Sequence, residues 1–219
     1  MAPHRTIVVF LKFPVAGRVK TRLAAGLEGE DSGEQAATIY QSLVSNVLKV
    51  LSQSDFDELR VTYDPPKAEA KTREWLKPDL DQFPESIAIT FHPQSQGDLG
   101  DRLQTAVHGA LNDSPDGFSA AIGTDCVEIT PSTISETWAA LEKQDLVFGP
   151  TFDGGYYLVG ARSLAPEIFT DIPWSSEETL SESLKRAQSA GKDVALLNKR
   201  NDVDTIEDWE RAKKHLGIE

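Results

Sequence analysis

Five short stretches of this chain hold side chains of the kinds that bind phosphate, hold a divalent cation or move a proton. The first is Phe13-Pro14-Val15-Ala16-Gly17-Arg18-Val19-Lys20-Thr21-Arg22, a small-residue turn followed by cations. Such a turn lets backbone N–H groups approach an anion. Lys20 then offsets phosphate charge as a point charge, and Arg22 through its planar fork. The stretch matches neither the P-loop nor the dinucleotide-binding glycine pattern, and a solvated basic loop is the competing reading. The second is Gln96-Gly97-Asp98-Leu99-Gly100-Asp101-Arg102. Here Asp98 reads first as a helix N-cap. Gly97 and Gly100 point to a close backbone approach, either to a ligand or to another segment.

The third stretch, Gly123-Thr124-Asp125-Cys126, places a carboxylate where a buried strand ends. Mg²⁺ takes one or two carboxylates and completes its shell with water and phosphate oxygens, so Asp125 is a candidate ligand. A turn or capping role for Asp125 is the alternative, and Cys126 reads as a buried thiol. The fourth, Phe152-Asp153-Gly154-Gly155-Tyr156-Tyr157, is a hairpin signal. It is equally a loop whose glycines could admit a substrate beside Asp153 or Tyr156. The fifth, Asn201-Asp202-Val203-Asp204-Thr205, sets Asp204 before a helix, where the dipole favours an acid. Paired in space with Asp125, Asp204 would complete a two-carboxylate magnesium or manganese site.

Helices and strands must bring these stretches together. Thr6–Leu11 is a continuous apolar run, the mark of a strand buried on both faces. Gln35–Leu51 carries apolar residues at 36, 40, 43, 44, 47, 48 and 51, a helix with one buried face. Strands are expected at Leu59–Tyr63, Ile87–Phe91, Phe118–Ile122, Leu146–Phe148, Tyr156–Gly160 and Val194–Leu197. Helices are expected at Lys67–Leu76, Leu99–Leu111, Pro131 to about Glu142, Glu177–Ala190 and Thr205–Leu216, the last opened by a capping box of Thr205 and Asp208. Lys77–Pro93, rich in proline, reads as the principal loop. The alternation predicts an α/β fold with a mostly parallel central sheet and helices on both faces, in one domain over residues 1–219. Ligands of such sheets bind beyond the carboxyl ends of the strands, and all five stretches follow strand ends.

Composition narrows the function. The chain has 219 residues and a formal charge of −13, from 22 basic and 35 acidic side chains. That charge repels nucleic acid and anionic membrane surfaces, so neither is expected as a partner. Yet Arg5, Lys12, Arg18, Lys20 and Arg22 all precede the first acidic residue, Glu28. The amino-terminal end is therefore a basic patch in an acidic protein. The apolar run Ile7–Leu11 is too short for a signal core or a membrane span, and a cytoplasmic location is expected. One cysteine excludes an internal disulfide, and the four histidines lack metal-pair spacing. No nucleophile elbow or catalytic-cysteine motif is present.

The succession FLKFPVAGRVKTRLA, QGDLGDRL, IGTDC, GPTFDGGYYLVG and NDVDT resembles the bacterial nucleotide-diphospho-sugar transferases of glycosyltransferase type A fold, generally described as uncharacterised glycosyltransferases and distantly related to nucleotidyltransferases. The resemblance runs from Phe10 to Thr205. It implies a Rossmann-like transferase fold, with Gly17, Lys20 and Arg22 at the nucleotide phosphates; Thr21 of the first stretch and Gly97 of the second are further candidates for phosphate contact. It implies a Mg²⁺ or Mn²⁺ cofactor at Asp125 and Asp204, and Asp153, Gly154, Gly155 and Tyr156 near the sugar or acceptor. Asp98 and Asp153 are the candidate bases. The implied partners are a nucleotide or nucleotide-sugar and a small-molecule acceptor. Two departures stand out: Val127 follows Asp125-Cys126 where the family often has proline, and Thr124-Asp125-Cys126 holds one carboxylate where many such glycosyltransferases carry Asp-x-Asp. The expected reaction is glycosyl transfer from a nucleotide-diphospho-sugar. The alternatives are nucleotidyl transfer to a phosphorylated acceptor with pyrophosphate release, and non-catalytic nucleotide-sugar binding.

Overall fold

The computed structural model describes residues 2–218. Its elements run β1 (Arg5–Lys12), α1 (Thr21–Gly26), α2 (Ser32–Ser52), β2 (Glu58–Asp64), α3 (Glu69–Leu80), β3 (Ala88–Pro93), α4 (Leu99–Asp113), β4 (Phe118–Ile122), α5 (Pro131–Leu141), β5 (Leu146–Pro150), β6 (Tyr156–Ala161), α6 (Thr179–Ser189), β7 (Val194–Leu196) and α7 (Ile206–Ala212). The seven strands form one sheet in the order β3-β2-β1-β4-β6-β5-β7. Strand β6 pairs antiparallel with β4 and β5, and the remaining neighbours are parallel. The expected mostly parallel α/β sheet is the observed one.

Successive side chains of β1 point to opposite faces, and both faces are covered, which explains the continuous apolar run from Ile7 to Leu11. Ile7, Val9 and Leu11 enter a core with Tyr40, Val44, Val47 and Leu48 of α2, Leu76 of α3 and Trp138 of α5. Val8 faces the other way, with Leu103 and Val107 of α4 and Ala187 of α6. Fully burying a side chain of this size stabilises by roughly 1.5–3 kcal/mol, so both faces of β1 favour a central strand. A smaller cluster joins Leu23 of α1 to Leu43, Val127, Val203 and Ala212. Val127, where the resemblance led to an expected proline, packs inside.

Three expectations need correction. Helix α1 was not anticipated: it has six residues, and its N-cap, Lys20, makes no side-chain capping bond. Lys77–Pro93 is not principally a loop. Helix α3 continues through Pro78 to Leu80, and β3 begins at Ala88. Proline at 78 removes the donor that would meet the Glu74 carbonyl, and the helix ends two residues later, at Leu80. The last helix stops at Ala212, short of Leu216, although Thr205 and Asp208 do form the expected capping box.

Topology brings the five stretches to one edge. The carboxyl ends of β1, β4, β5 and β7 all point there. Because β6 runs the opposite way, its start lies on that edge too, so the β5–β6 hairpin tip joins the loops after β1, β4 and β7.

Candidate functional site

Lys20 stands where these segments meet. Its side chain is only 5% exposed, and its Nζ lies 2.8 Å from Asp125 Oδ1 and 3.5 Å from Asp204 Oδ1. The ammonium also donates to the Val203 carbonyl. Arg22 reaches the other oxygen of Asp204 at 3.3 Å from a largely exposed position. The two carboxylates expected to pair do so, with the lysine of the basic loop between them. Lys20 adopts a left-handed backbone conformation, φ 48°, which costs energy in a residue with a Cβ and is found where surrounding contacts hold it.

This junction divides a cleft into two lobes. The larger, about 620 Å³, is lined by Lys12, Arg18, Lys20, Thr21, Arg22 and Arg102, with Tyr40, Gln94 and Thr124 behind them. Four of the five cations that precede the first acid thus face one cavity. The fifth, Arg5, sits at the start of β1 and pairs with Asp55 at 2.9 Å. The smaller lobe, about 290 Å³, is lined by Asp125, Asp153, Asp202 and Asp204 and by Phe10, Leu99, Tyr156 and Trp174. The two lobes share Asp125, Asp204, Gly123, Phe10, Leu99 and Ser175. Ser175, like Lys20, has a left-handed backbone, φ 60°.

Other expected residues fall into two groups. Asp153 and Gly155 line the smaller lobe. Asp153 Oδ1 accepts from the Thr151 hydroxyl and, at 3.0 Å, from the Gly155 N–H. Tyr156 presents its ring, packed against Phe148 and Trp174. Its hydroxyl is buried beside Ser183 without a hydrogen bond, and burial raises its pKa above the ordinary phenol value. By contrast, Asp98, Gly97, Gly17 and Gly154 line neither lobe. Asp98 caps α4 in a reciprocal box with Asp101. Gly97 has φ +106°, and a Cβ there would lie 2.1 Å from the Asp101 carboxylate. A Cβ on Gly154 would lie 2.2 Å from the Glu177 carbonyl, and one on Gly100 would lie 2.2 Å from that of Phe169. The close approaches these glycines allow are to protein.

Burial and like charge act together at Asp202. Its carboxyl is pushed up to about 6, first by burial and then by Asp153, Asp204 and Asp125. Burial likewise pushes the Cys126 thiol up to about 12, so it is no nucleophile. Tyr40 is raised by burial as well, and its hydroxyl accepts the Lys12 N–H at 2.8 Å, bracing the start of the basic loop.

Sequence reasoning missed Asp202, Arg102, Gln94 and the Trp174–Ser176 segment. Asp202 and Arg102 lay inside stretches already singled out, so charge alone could have flagged them. Gln94 is buried, and its amide donates to the Leu11 and Thr62 carbonyls at 3.0 and 3.2 Å. Its oxygen accepts from Arg102 Nη1 at 3.2 Å. Trp174–Ser176 carries no local signal of function.

Residues 47–176 match the model of a family described as an uncharacterized protein conserved in bacteria, DUF2064. No curated protein matches the chain by sequence. Among solved structures, a putative nucleotide-diphospho-sugar transferase from Desulfovibrio desulfuricans is 30% identical, with a TM-score of 0.82 over 95% of this chain and 85% of that one. Rv0371c from Mycobacterium tuberculosis, solved as a manganese complex, is 18% identical, with a TM-score of 0.55 over 98% of this chain and 100% of that one. A 4-diphosphocytidyl-2C-methyl-D-erythritol synthase from Anaerococcus prevotii is 11% identical, with a TM-score of 0.58 over 98% and 96% of the two chains. The last two share the fold. Among the described residues, no helix is long and apolar enough to cross a membrane.

Proposed function

The chain belongs to the DUF2064 family of bacterial proteins, and from its cleft we propose that it is a nucleotide-dependent transferase that moves a glycosyl group from a nucleotide-diphospho-sugar to a small acceptor. The observation that carries this reading is the junction of a basic lobe and an acidic lobe at Asp125, Lys20 and Asp204. A diphosphate suits the basic lobe, where Lys12, Arg18, Lys20 and Arg22 offset its charge and Thr21 offers a hydroxyl. The sugar and acceptor then fall in the acidic lobe beyond it.

The residues at the junction fit a divalent cation. Asp125 and Asp204 are each about two-fifths exposed and already share one cation, the Lys20 ammonium. Two carboxylates are a sufficient protein donor set for Mg²⁺ or Mn²⁺ when water and phosphate oxygens complete the shell; among the described residues no group of three His, Cys, Asp or Glu ligands is gathered. Bound there, such an ion would add charge neutralisation at the leaving diphosphate. Lys20, released from the carboxylates, would turn to phosphate. In the reaction an acceptor hydroxyl attacks the anomeric carbon, the bond from that carbon to the diphosphate oxygen breaks, and the nucleoside diphosphate leaves. Asp153 is the proposed base: its Oδ1 is held by two donors, leaving Oδ2 free to take the hydroxyl proton. Asp98, fixed as a cap outside the cavity, is not.

A second reading is nucleotidyl transfer, favoured by the number of cations in the larger lobe. Five basic side chains, Arg102 among them, line it, enough to hold a triphosphate. There an acceptor oxygen attacks the α-phosphorus and pyrophosphate leaves. Product analysis separates the two. Nucleoside diphosphate released from a panel of nucleotide-sugars supports the first, and pyrophosphate released from nucleoside triphosphates supports the second. Asp125→Asn is nearly isosteric and is expected to abolish metal-dependent nucleotide binding while the protein stays folded. Unchanged magnesium-dependent binding in that variant would remove Asp125 from the site.

A further inference from the structure

The smaller lobe differs from the larger in one respect that bears on what it can hold. Its lining includes four carboxylates, Asp125, Asp153, Asp202 and Asp204, and no lysine, arginine or histidine. The cations of the cleft stop at Lys20, which already lies against two of the four acids. Bringing a phosphate or carboxylate into this lobe would place like charges together in a recess partly screened from water, where repulsion is stronger than in bulk solvent. One divalent ion at Asp125 and Asp204 would leave Asp153 and Asp202 uncompensated.

The remaining lining favours a different ligand. Trp174 and Tyr156 form an aromatic wall, with ring centroids 6.2 Å apart, and Leu99 beside them is 44% exposed. Ser175 lines the lobe as well, and so do Thr151, Ser176 and Thr179, whose hydroxyls donate within the protein, to Asp153 and to the Pro173 carbonyl, and leave their oxygens to accept. An aromatic wall beside carboxylates and hydroxyls matches a sugar ring or similar polyol. Its apolar face packs on the rings, and its hydroxyl groups donate to the acids. We propose that the smaller lobe selects by charge, taking a neutral or amine-bearing polyol and rejecting its phosphorylated or carboxylated counterparts. This rests on the transferase reading above and gives the chemical class of the second substrate.

Three compounds with one ring and different charge test it: glucosamine, glucose and glucose 6-phosphate. Binding is read from the indole N–H resonance of Trp174, assigned with Trp174→Phe, in the whole chain with Mg²⁺ and a nucleoside diphosphate present. The expected order of affinity is glucosamine, then glucose, then glucose 6-phosphate. The phosphate is expected to be weaker than glucose by roughly tenfold or more at low salt, and the gap to narrow in 0.5 M NaCl. Asp202→Asn removes one negative charge, and the glucose to glucose 6-phosphate gap is expected to shrink in it. Glucose 6-phosphate binding as tightly as glucose, or no response of Trp174 to any of the three, would overturn the proposal. Titrating the nucleoside diphosphate alone keeps the two readings apart. If it binds and the order is reversed, only the charge selection fails; if it does not bind, the transferase reading fails first.

Discussion

At the scale of single residues, Lys20 and Arg22 look equivalent in sequence and are not equivalent in the fold. Lys20 is buried against Asp125, Asp204 and the Val203 carbonyl, whereas Arg22 is 70% exposed. Replacing Arg22 with Ala is expected to remove a phosphate contact worth about 1.5–3 kcal/mol, lowering nucleotide affinity roughly ten- to a hundredfold. The melting temperature should barely move. Lys20→Met is expected to cost stability as well, about 1–2 kcal/mol. That is less than the 3–5 kcal/mol of a fully buried pair, because both carboxylates keep substantial solvent contact. Magnesium should restore part of that loss, and should raise the melting temperature of the variant more than that of the parent, since the ion offsets the two acids the lysine has left. Arg5→Ala, at the far end of β1, should leave nucleotide affinity unchanged. Equal small affinity losses at Arg5, Lys20 and Arg22 would reduce the basic loop to long-range attraction, and an unaltered melting temperature for Lys20→Met would argue against the bridging role.

At the scale of elements, α4 forms one wall of the cleft, and it owes its position to a missing side chain. Gly100, in its first turn, sits against the Phe169 carbonyl and the Trp174 ring. The contact ties α4 to the 3-10 turn Pro166–Phe169 and to the segment that carries Ser175 and Ser176. Gly100→Ala places a carbon within 2.2 Å of that carbonyl. Overpacking of this kind costs about 1–3 kcal/mol. Urea denaturation is expected to show a lower midpoint at an unchanged slope. A midpoint equal to that of the parent would mean the two segments separate freely. The same contact explains why the Gly97–Arg102 stretch was ambiguous: close approach was correctly expected, but only packing shows that the approaching group is another part of the chain.

At the scale of the whole molecule, charge is segregated. An acidic protein of −13 gathers cations along one lobe of a cleft and concentrates carboxylates in the next. That arrangement leaves a trace in the pH dependence of stability. The Asp202 carboxyl titrates near 6 in the folded state, against 3.8 for the unperturbed side chain. A raised acid pKa means that the folded state holds the proton more tightly. This contribution to stability is full below about pH 3.8, falls between about pH 4 and 6, and is absent above. The difference in unfolding free energy between Asp202→Asn and the parent, measured without divalent ions, should therefore grow in favour of the variant from pH 4 to 6.5. A difference constant over that range would show that neither burial nor the neighbouring acids raise the Asp202 carboxyl in the fold.

The sequence by itself determined the sheet class, most strands and the positions of the main helices, because burial on one or two faces writes a period of 2 or 3.6 into the chain. It determined the caps at Asp98 and Thr205, which are local hydrogen bonds over three residues. It also placed the candidate stretches after strand ends, on one edge, since parallel strands send all their carboxyl ends there. Helix α1 escaped notice because six residues are too few to show a period. The tertiary structure alone decided that Lys20 stands between Asp125 and Asp204, separated from it in sequence by more than a hundred residues. It alone decided that Asp202 joins them, that Arg102 and Gln94 face the basic loop, and that Tyr156 offers its ring and not its hydroxyl. These are distances between segments far apart in the chain. No local pattern encodes them, because they are set by how strands order in the sheet and how loops cross its edge.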